Sequence, residues 1–142
     1  EIYDLSGAIL DGLSLERLRF WNTKELSNLV WGMAQLNERD ERALRDVGQV
    51  IIEIGPLLTP KAAAFDIPKL LCGLARLRYE DDDVVEAAAE VLLQRGMLRR
   101  INHWGICALK WSWPDPRLEG TPATIRRIAN LLEAQVGKRM LT

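Results

Sequence analysis

The chain has little of what most active sites are made from. It carries one histidine and two cysteines in 142 residues. A structural zinc site wants four ligands, usually paired on short spacings. His103 and Cys107 sit four apart, a valid ligand spacing, and Cys72 falls one repeat earlier. One histidine and two cysteines still fall short of a set, so no metal is expected. The same two residues make a poor Cys–His nucleophile, because Cys107 stands among apolar neighbours in the sequence. There is no Gly-rich phosphate loop, no Gly-x-Ser-x-Gly elbow and no kinase lysine signature. Paired carboxylates occur only in the run from Glu80 to Asp83, which has no apolar pocket around it. Neither an enzyme nor a cofactor is expected.

Other absences narrow the class further. No apolar run approaches the roughly 20 residues that cross a bilayer, so no membrane insertion is expected. Alternating apolar and polar runs are scarce, which argues against strands. Two cysteines imply no disulfide framework and fit a reducing compartment. The first residues, Glu1-Ile2-Tyr3-Asp4-Leu5, carry no basic leader, and the lack of an initial Met suggests a processed or partial chain.

Charge of one sign is also missing overall. The formal net charge is −1, which excludes a uniformly basic protein. The distribution is polarised all the same. Acid gathers at Glu80, Asp81, Asp82, Asp83, Glu86 and Glu90. Base gathers at Lys69, Arg76 and Arg78, then at Arg95, Arg99 and Arg100, then at Arg126, Arg127, Lys138 and Arg139.

What is present is helical periodicity and repetition. Apolar residues recur three and four apart. Leu29-Val30-Trp31-Gly32-Met33-Ala34-Gln35-Leu36 aligns with Leu70-Leu71-Cys72-Gly73-Leu74-Ala75-Arg76-Leu77. Trp104 to Trp111 reads as a third copy with Lys110 in the place of Gln35 and Arg76. These are the A helices. A second type follows each: Val50-Ile51-Ile52-Glu53-Ile54-Gly55, then Val91-Leu92-Leu93-Gln94-Arg95-Gly96, then Leu131-Leu132-Glu133-Ala134. Gly55 and Gly96 stand where a helix C-cap is expected. The period falls in the range of helical-hairpin solenoids.

The fold expected is therefore all-α, an α-solenoid of about three helix-hairpin repeats plus a leading helix. Residues 1–142 form one domain, with repeats at 20–58, 65–100 and 101–137 and residues 1–19 as the end of a preceding repeat. Helices are expected at 3–13, 23–36, 40–54, 67–77, 82–95, 101–112 and 122–136. Asn22 with Glu25 makes a capping box, Asp66 precedes Pro68 at the second A helix, and Thr121-Pro122 makes an N-cap and N1 pair. Thr59-Pro60-Lys61 is expected to form a separate short turn. Glycines 32, 73 and 105 are read as points of close helix approach, and Trp104, Trp111 and Trp113 as core or a local cluster.

Phe20-Trp21-Asn22-Thr23-Lys24-Glu25-Leu26-Ser27-Asn28-Leu29-Val30-Trp31-Gly32-Met33-Ala34-Gln35-Leu36 resembles the octotricopeptide and FAST-kinase-type repeats of organellar proteins that often precede a RAP domain. The shared pattern is an aromatic, a polar cap, then Leu-x-x-hydrophobic-hydrophobic-Trp-small-hydrophobic-Ala-polar-Leu. Phe65 to Leu77 keeps much of it. The third copy departs, with Ile101 at the aromatic start and Trp111 at the closing Leu. The resemblance spans Leu5 to Val136 and includes no RAP domain. It implies RNA binding in organelle gene expression, as a transcript-binding factor or a non-catalytic subunit of a ribonucleoprotein such as the mitochondrial ribosome. The implied location is the mitochondrion, with the chloroplast as alternative.

At 100° per residue, Leu26, Leu29, Val30, Met33 and Leu36 form the core stripe of the first A helix. Lys24, Asn28, Trp31 and Gln35 fall opposite. The equivalent face of the later repeats offers Lys69 and Arg76, then Arg99, Arg100, His103 and Lys110. Lysine and arginine would neutralise phosphates, Asn28, Gln35 and His103 would meet base edges, and Trp31 would stack on an unpaired base. These ten residues are the candidate RNA contacts. The competing reading is a solvated polar helix face, with Trp31 as packing between repeats. A protein–protein scaffold, or an accessory subunit of an organellar complex, is the alternative function, because solenoids bind peptides as readily as RNA.

Overall fold

The computed structural model describes residues 9–79, 81–94, 97–113, 115 and 118–141, with backbone alone at 82 and 135–141. Residues 9–11 are helical. After them come α1 (Leu15–Leu18), α2 (Thr23–Gln35), α3 (Glu41–Ile54), α4 (Pro60–Arg76), α5 (Asp82–Leu92), α6 (His103–Ser112) and α7 (Ala123–Leu141). Short 3-10 turns occupy Gly55–Leu57 and Leu98–Arg100. No strand occurs among the described residues, and the all-α class follows.

Each helix start is a local chemical decision. The first amide hydrogens of a helix lack backbone partners, and a short polar side chain just before them supplies one. Asn22 Oδ1 accepts from the Glu25 amide at 2.8 Å while Glu25 Oε1 accepts from the Asn22 amide at 3.0 Å, closing the capping box. Asp40 accepts from Ala43 at 2.9 Å, and Asn102 from Gly105 at 2.8 Å. Asp81 accepts from Asp83 and Val84, so the described part of the acidic run serves the start of α5.

The second A helix is longer than expected. Thr59 is its N-cap, accepting from Ala62 at 3.3 Å, and Pro60 fills the first helical position. The separate turn at 59–61 is thus the first turn of α4. Asp66 starts nothing, and Pro68 lies inside the helix. Proline there removes the amide that would bond the Ala64 carbonyl. Burial compensates: α4 hides Ala63, Ala64, Ile67, Pro68, Leu70, Leu71, Cys72, Gly73 and Leu74. A helix with so wide an apolar face must be packed on more than one side. It is flanked by α2 and α6 and backed by α5.

The neighbours fall into two series. α2, α4 and α6 pack side by side in chain order, and α1, α3, α5 and α7 do the same behind them. One apolar cluster runs through both layers from Leu10 to Leu132. Glycines set the approach of neighbouring helices at two contacts. A Cβ on Gly48 would stand 2.5 Å from a Val84 methyl and one on Gly73 2.9 Å from a Val30 methyl, whereas at Gly105 the nearest atom, an Ile101 methyl at 2.7 Å, belongs to the segment that opens the same helix, and Pro68 of α4 stands 3.4 Å away. Gly32 is different: nothing lies within 4 Å of its would-be Cβ, so it marks no close approach.

α2 and α4 end in the same kind of turn. α2 ends with Asn37 at φ 52° and α4 with Arg78 at φ 54°, both in the left-handed region. The Glu38 amide bonds the Met33 carbonyl at 2.8 Å, and the Tyr79 amide bonds the Leu74 carbonyl at 3.0 Å. The Asn37 and Arg78 amides reach Ala34 and Ala75. This is the Schellman pattern, built twice without glycine. Gly55, by contrast, is no left-handed cap. Its φ is −46°, and it is buried against Val91. Gly96 lies outside the described residues.

Further expectations are corrected. Leu36 is 67 % exposed, because it caps α2 rather than continuing the core stripe. α6 begins at His103 and α7 at Ala123, each one or two residues later than the periodicity suggested. Cys107 is exposed while Cys72 is buried. At the other end, the Arg42 guanidinium donates to the Leu10 and Leu13 carbonyls at 2.7 and 2.8 Å, tying the leading segment to α3.

Candidate functional site

The outer face of the α2–α4–α6 layer carries a groove of about 810 Å³. Helix periodicity builds its walls. Lys24, Asn28 and Trp31 repeat every three to four residues along α2, and Lys61, Phe65 and Lys69 repeat every four along α4. Trp104 enters from the first turn of α6. Thr59, Ala62 and Asp66 complete the lining.

The side chains across this face are linked. Trp31 meets Trp104 edge to face, with ring centroids 5.8 Å apart and planes at 71°. The Lys69 ammonium lies 5.9 Å from the Trp31 centroid and donates to Asn28 Oδ1 at 2.6 Å. The Arg76 guanidinium lies 5.3 Å from the Trp31 ring and 4.8 Å from Trp111. These are cation–π distances. Rings from α2 and α6 therefore meet over α4 with cations from α4 among them. Trp104 is 47 % exposed, Trp111 61 % and Phe65 53 %, so much of this aromatic surface faces solvent. Of the two alternatives read from the sequence, Trp104 and Trp111 take the local cluster, around Trp31 and Arg76, and Trp113 packs against the core.

Three lysines oppose one carboxylate here. Partial burial pushes the Asp66 carboxyl above its usual range, and the positive charges of Lys24 and Lys69 pull it partly back. No described residue hydrogen-bonds or ion-pairs with it.

The ten residues singled out from the sequence do not all meet. Lys24, Asn28, Trp31 and Lys69 share the groove, and Arg76 covers Trp31 beside it. Gln35 is exposed at the last turn of α2. Arg99 and Arg100 are exposed in the turn before α6. His103 faces Cys107, with Nε2 and Sγ 3.5 Å apart. Lys110 borders a separate cleft between α6 and α7, with Trp113 and Leu132. Those five belong to no common site. Helix phase explains Lys110: counted from its cap, α6 places Trp111, not Lys110, beside Arg76.

Lys61, Phe65, Asp66 and Trp104 were missed. The first three follow once Thr59-Pro60 is taken as the helix start, because residues 61, 65 and 69 then form one row and residues 62 and 66 the row beside it. Among the described residues no cluster of three histidine, cysteine or acidic side chains could hold a metal ion, and no helix is long and apolar enough to cross a membrane. Comparison with protein-family models, curated proteins and solved structures finds no match for the chain.

Proposed function

We propose that the chain is an RNA-binding helical-repeat protein that holds a single strand along the outer face of the α2–α4–α6 layer. One observation carries this reading. Lys24, Lys61 and Lys69 share a groove with exposed faces of Phe65 and Trp104. Single-stranded nucleic acid offers alternating phosphates and flat bases, and binding it takes that mixture of cations and rings. A merely solvated helix face has no use for half-exposed tryptophans. Each stacked base is worth roughly 1–3 kcal/mol, and each neutralised phosphate adds a salt-dependent share.

We read the two helix series as a short solenoid of hairpin repeats. The likeness of residues 20–36 to organellar octotricopeptide-type repeats supports the same function. It suggests a non-catalytic role in a mitochondrial or chloroplast ribonucleoprotein. Few repeats give little sequence specificity alone, which favours a fixed place in an assembly.

The test is fluorescence anisotropy with mixed single-stranded RNA over a salt series. Lys24→Ala and Lys61→Ala are each expected to flatten the slope of log affinity against log salt by about one unit. Lys110→Ala, in the other cleft, is expected to leave it unchanged. No binding at low salt overturns the reading.

A protein neighbour is the second reading. Ile9, Leu29, Met33 and Leu36 line a shallow apolar groove at the first end of the layers, with Ile9 56 % exposed. If RNA does not bind, that end is where a partner would sit.

A further inference from the structure

A groove that grips a polyanion gains nothing from a carboxylate unless the carboxylate reads something. Asp66 sits among Lys24, Lys69 and Trp104, half-buried, with no described hydrogen-bond or ion-pair partner. Unpaired acceptors in a partly dry site cost free energy. A ligand that brings two donors would recover that cost.

Asn28 adds the complement. Lysine can only donate, so the Asn28 oxygen is the atom committed to Lys69 at 2.6 Å. The Asn28 amide nitrogen therefore remains as a donor in the same groove. The polar set is one divergent carboxylate, one amide donor and lysines, beside aromatic faces.

We infer that the groove selects guanine, with the Asp66 carboxylate accepting from guanine N1–H and the N2 amino group and the Asn28 amide or a lysine donating to O6. The inference rests on the RNA reading and deepens it. Among the four bases, guanine alone places a ring N–H and an amino group side by side, the pair that a carboxylate grips with both oxygens. Uracil offers one N–H between two carbonyls, which a carboxylate repels. Adenine and cytosine present an amino group next to an unprotonated ring nitrogen, so only one oxygen is served. The base would lie against Trp104 or Phe65, and its phosphates would meet Lys24 and Lys61.

The experiment compares short oligouridines carrying a single guanine, inosine, adenine or cytosine, by anisotropy at one low salt concentration. Guanine is expected to bind on the order of tenfold tighter than adenine or cytosine, the range of one good bidentate pair. Inosine lacks the N2 amino group and is expected to fall between. Asp66→Asn keeps size and fold. It is expected to abolish the preference while tightening binding to the other oligomers, because a negative charge leaves the groove. Equal affinity for all four oligomers overturns the guanine assignment and leaves RNA binding standing. A preference that survives Asp66→Asn unchanged also overturns it. No binding to any oligomer removes the RNA reading and this inference with it.

Discussion

Gly48 is the position at which the packing of the two layers is most directly exposed to refutation. It is buried on α3 where α5 crosses, and a Cβ there would stand 2.5 Å from Val84 Cγ2, 3.2 Å from Cγ1 and 3.4 Å from Cβ. All three contacts belong to one β-branched side chain, which has a single favoured rotamer in a helix and cannot swing aside. Gly48→Ala must push α3 and α5 apart. A contact of 2.5 Å with a side chain that cannot move falls at the upper end of overpacking costs, about 2–3 kcal/mol, and the better helix propensity of alanine returns about 1 kcal/mol. The net loss is about 1–2 kcal/mol, or roughly 3–8 °C in Tm for a chain of this size. Gly32→Ala is the control. It gains the same propensity with nothing within 4 Å to strike, so Tm should rise by about 2–4 °C. Thermal melts by circular dichroism read both. Adding Val84→Ala to Gly48→Ala should cost less than the two single losses summed, because the clash disappears. If Gly48→Ala melts at or above the parent temperature, α3 and α5 do not pack as described.

Three further predictions follow from other parts of the molecule. Asn37→Gly and Arg78→Gly remove the strain of a side chain at positive φ, and each should stabilise by about 1 kcal/mol in urea titrations; loss at both positions would contradict the turn geometry. Arg42→Ala frees the Leu10 and Leu13 carbonyls, so amide exchange should quicken at residues 9–19 while α4 stays protected, at a cost of about 1 kcal/mol. Asp66 carries a carboxyl raised above its unfolded value, so its contribution to stability is present below about pH 4 and is lost as pH rises through the folded value. Asp66→Asn should therefore gain Tm over the parent as pH rises through that window, and a constant difference across it would exclude the mechanism.

The helices were legible in the sequence because they are written in apolar spacing, and apolar spacing is what the core reads. Leu26, Val30 and Met33 are buried as their phase requires, and Leu70, Leu71 and Leu74 follow one repeat later. Pro68 misled because proline usually opens a helix. Here the burial of α4 on three sides outweighs one missing hydrogen bond. That shift of the helix start hid the common face of Lys61, Phe65 and Asp66, because Lys61 was placed in a separate short turn and Asp66 at the helix start. The groove itself was only half legible. Lys24, Asn28, Trp31 and Lys69 could be phased from α2 and the repeat alignment, but Trp104 could not. Its place depends on where α6 begins, and Asn102 rather than the tryptophan pattern fixes that point.

The matched turns at Asn37 and Arg78 reach beyond their own hydrogen bonds. They stand 78 − 37 = 41 residues apart, so one stretch of chain carries both an A helix and the instruction for reversing after it. Geometry of this kind behaves as a screw operation applied by the backbone. A unit copied from one turn to the next would arrive already oriented, and the outer face would lengthen by one helix width without disturbing its neighbours. On the RNA-binding function proposed above, growth by duplication would then change the length of strand held while leaving each turn as it is.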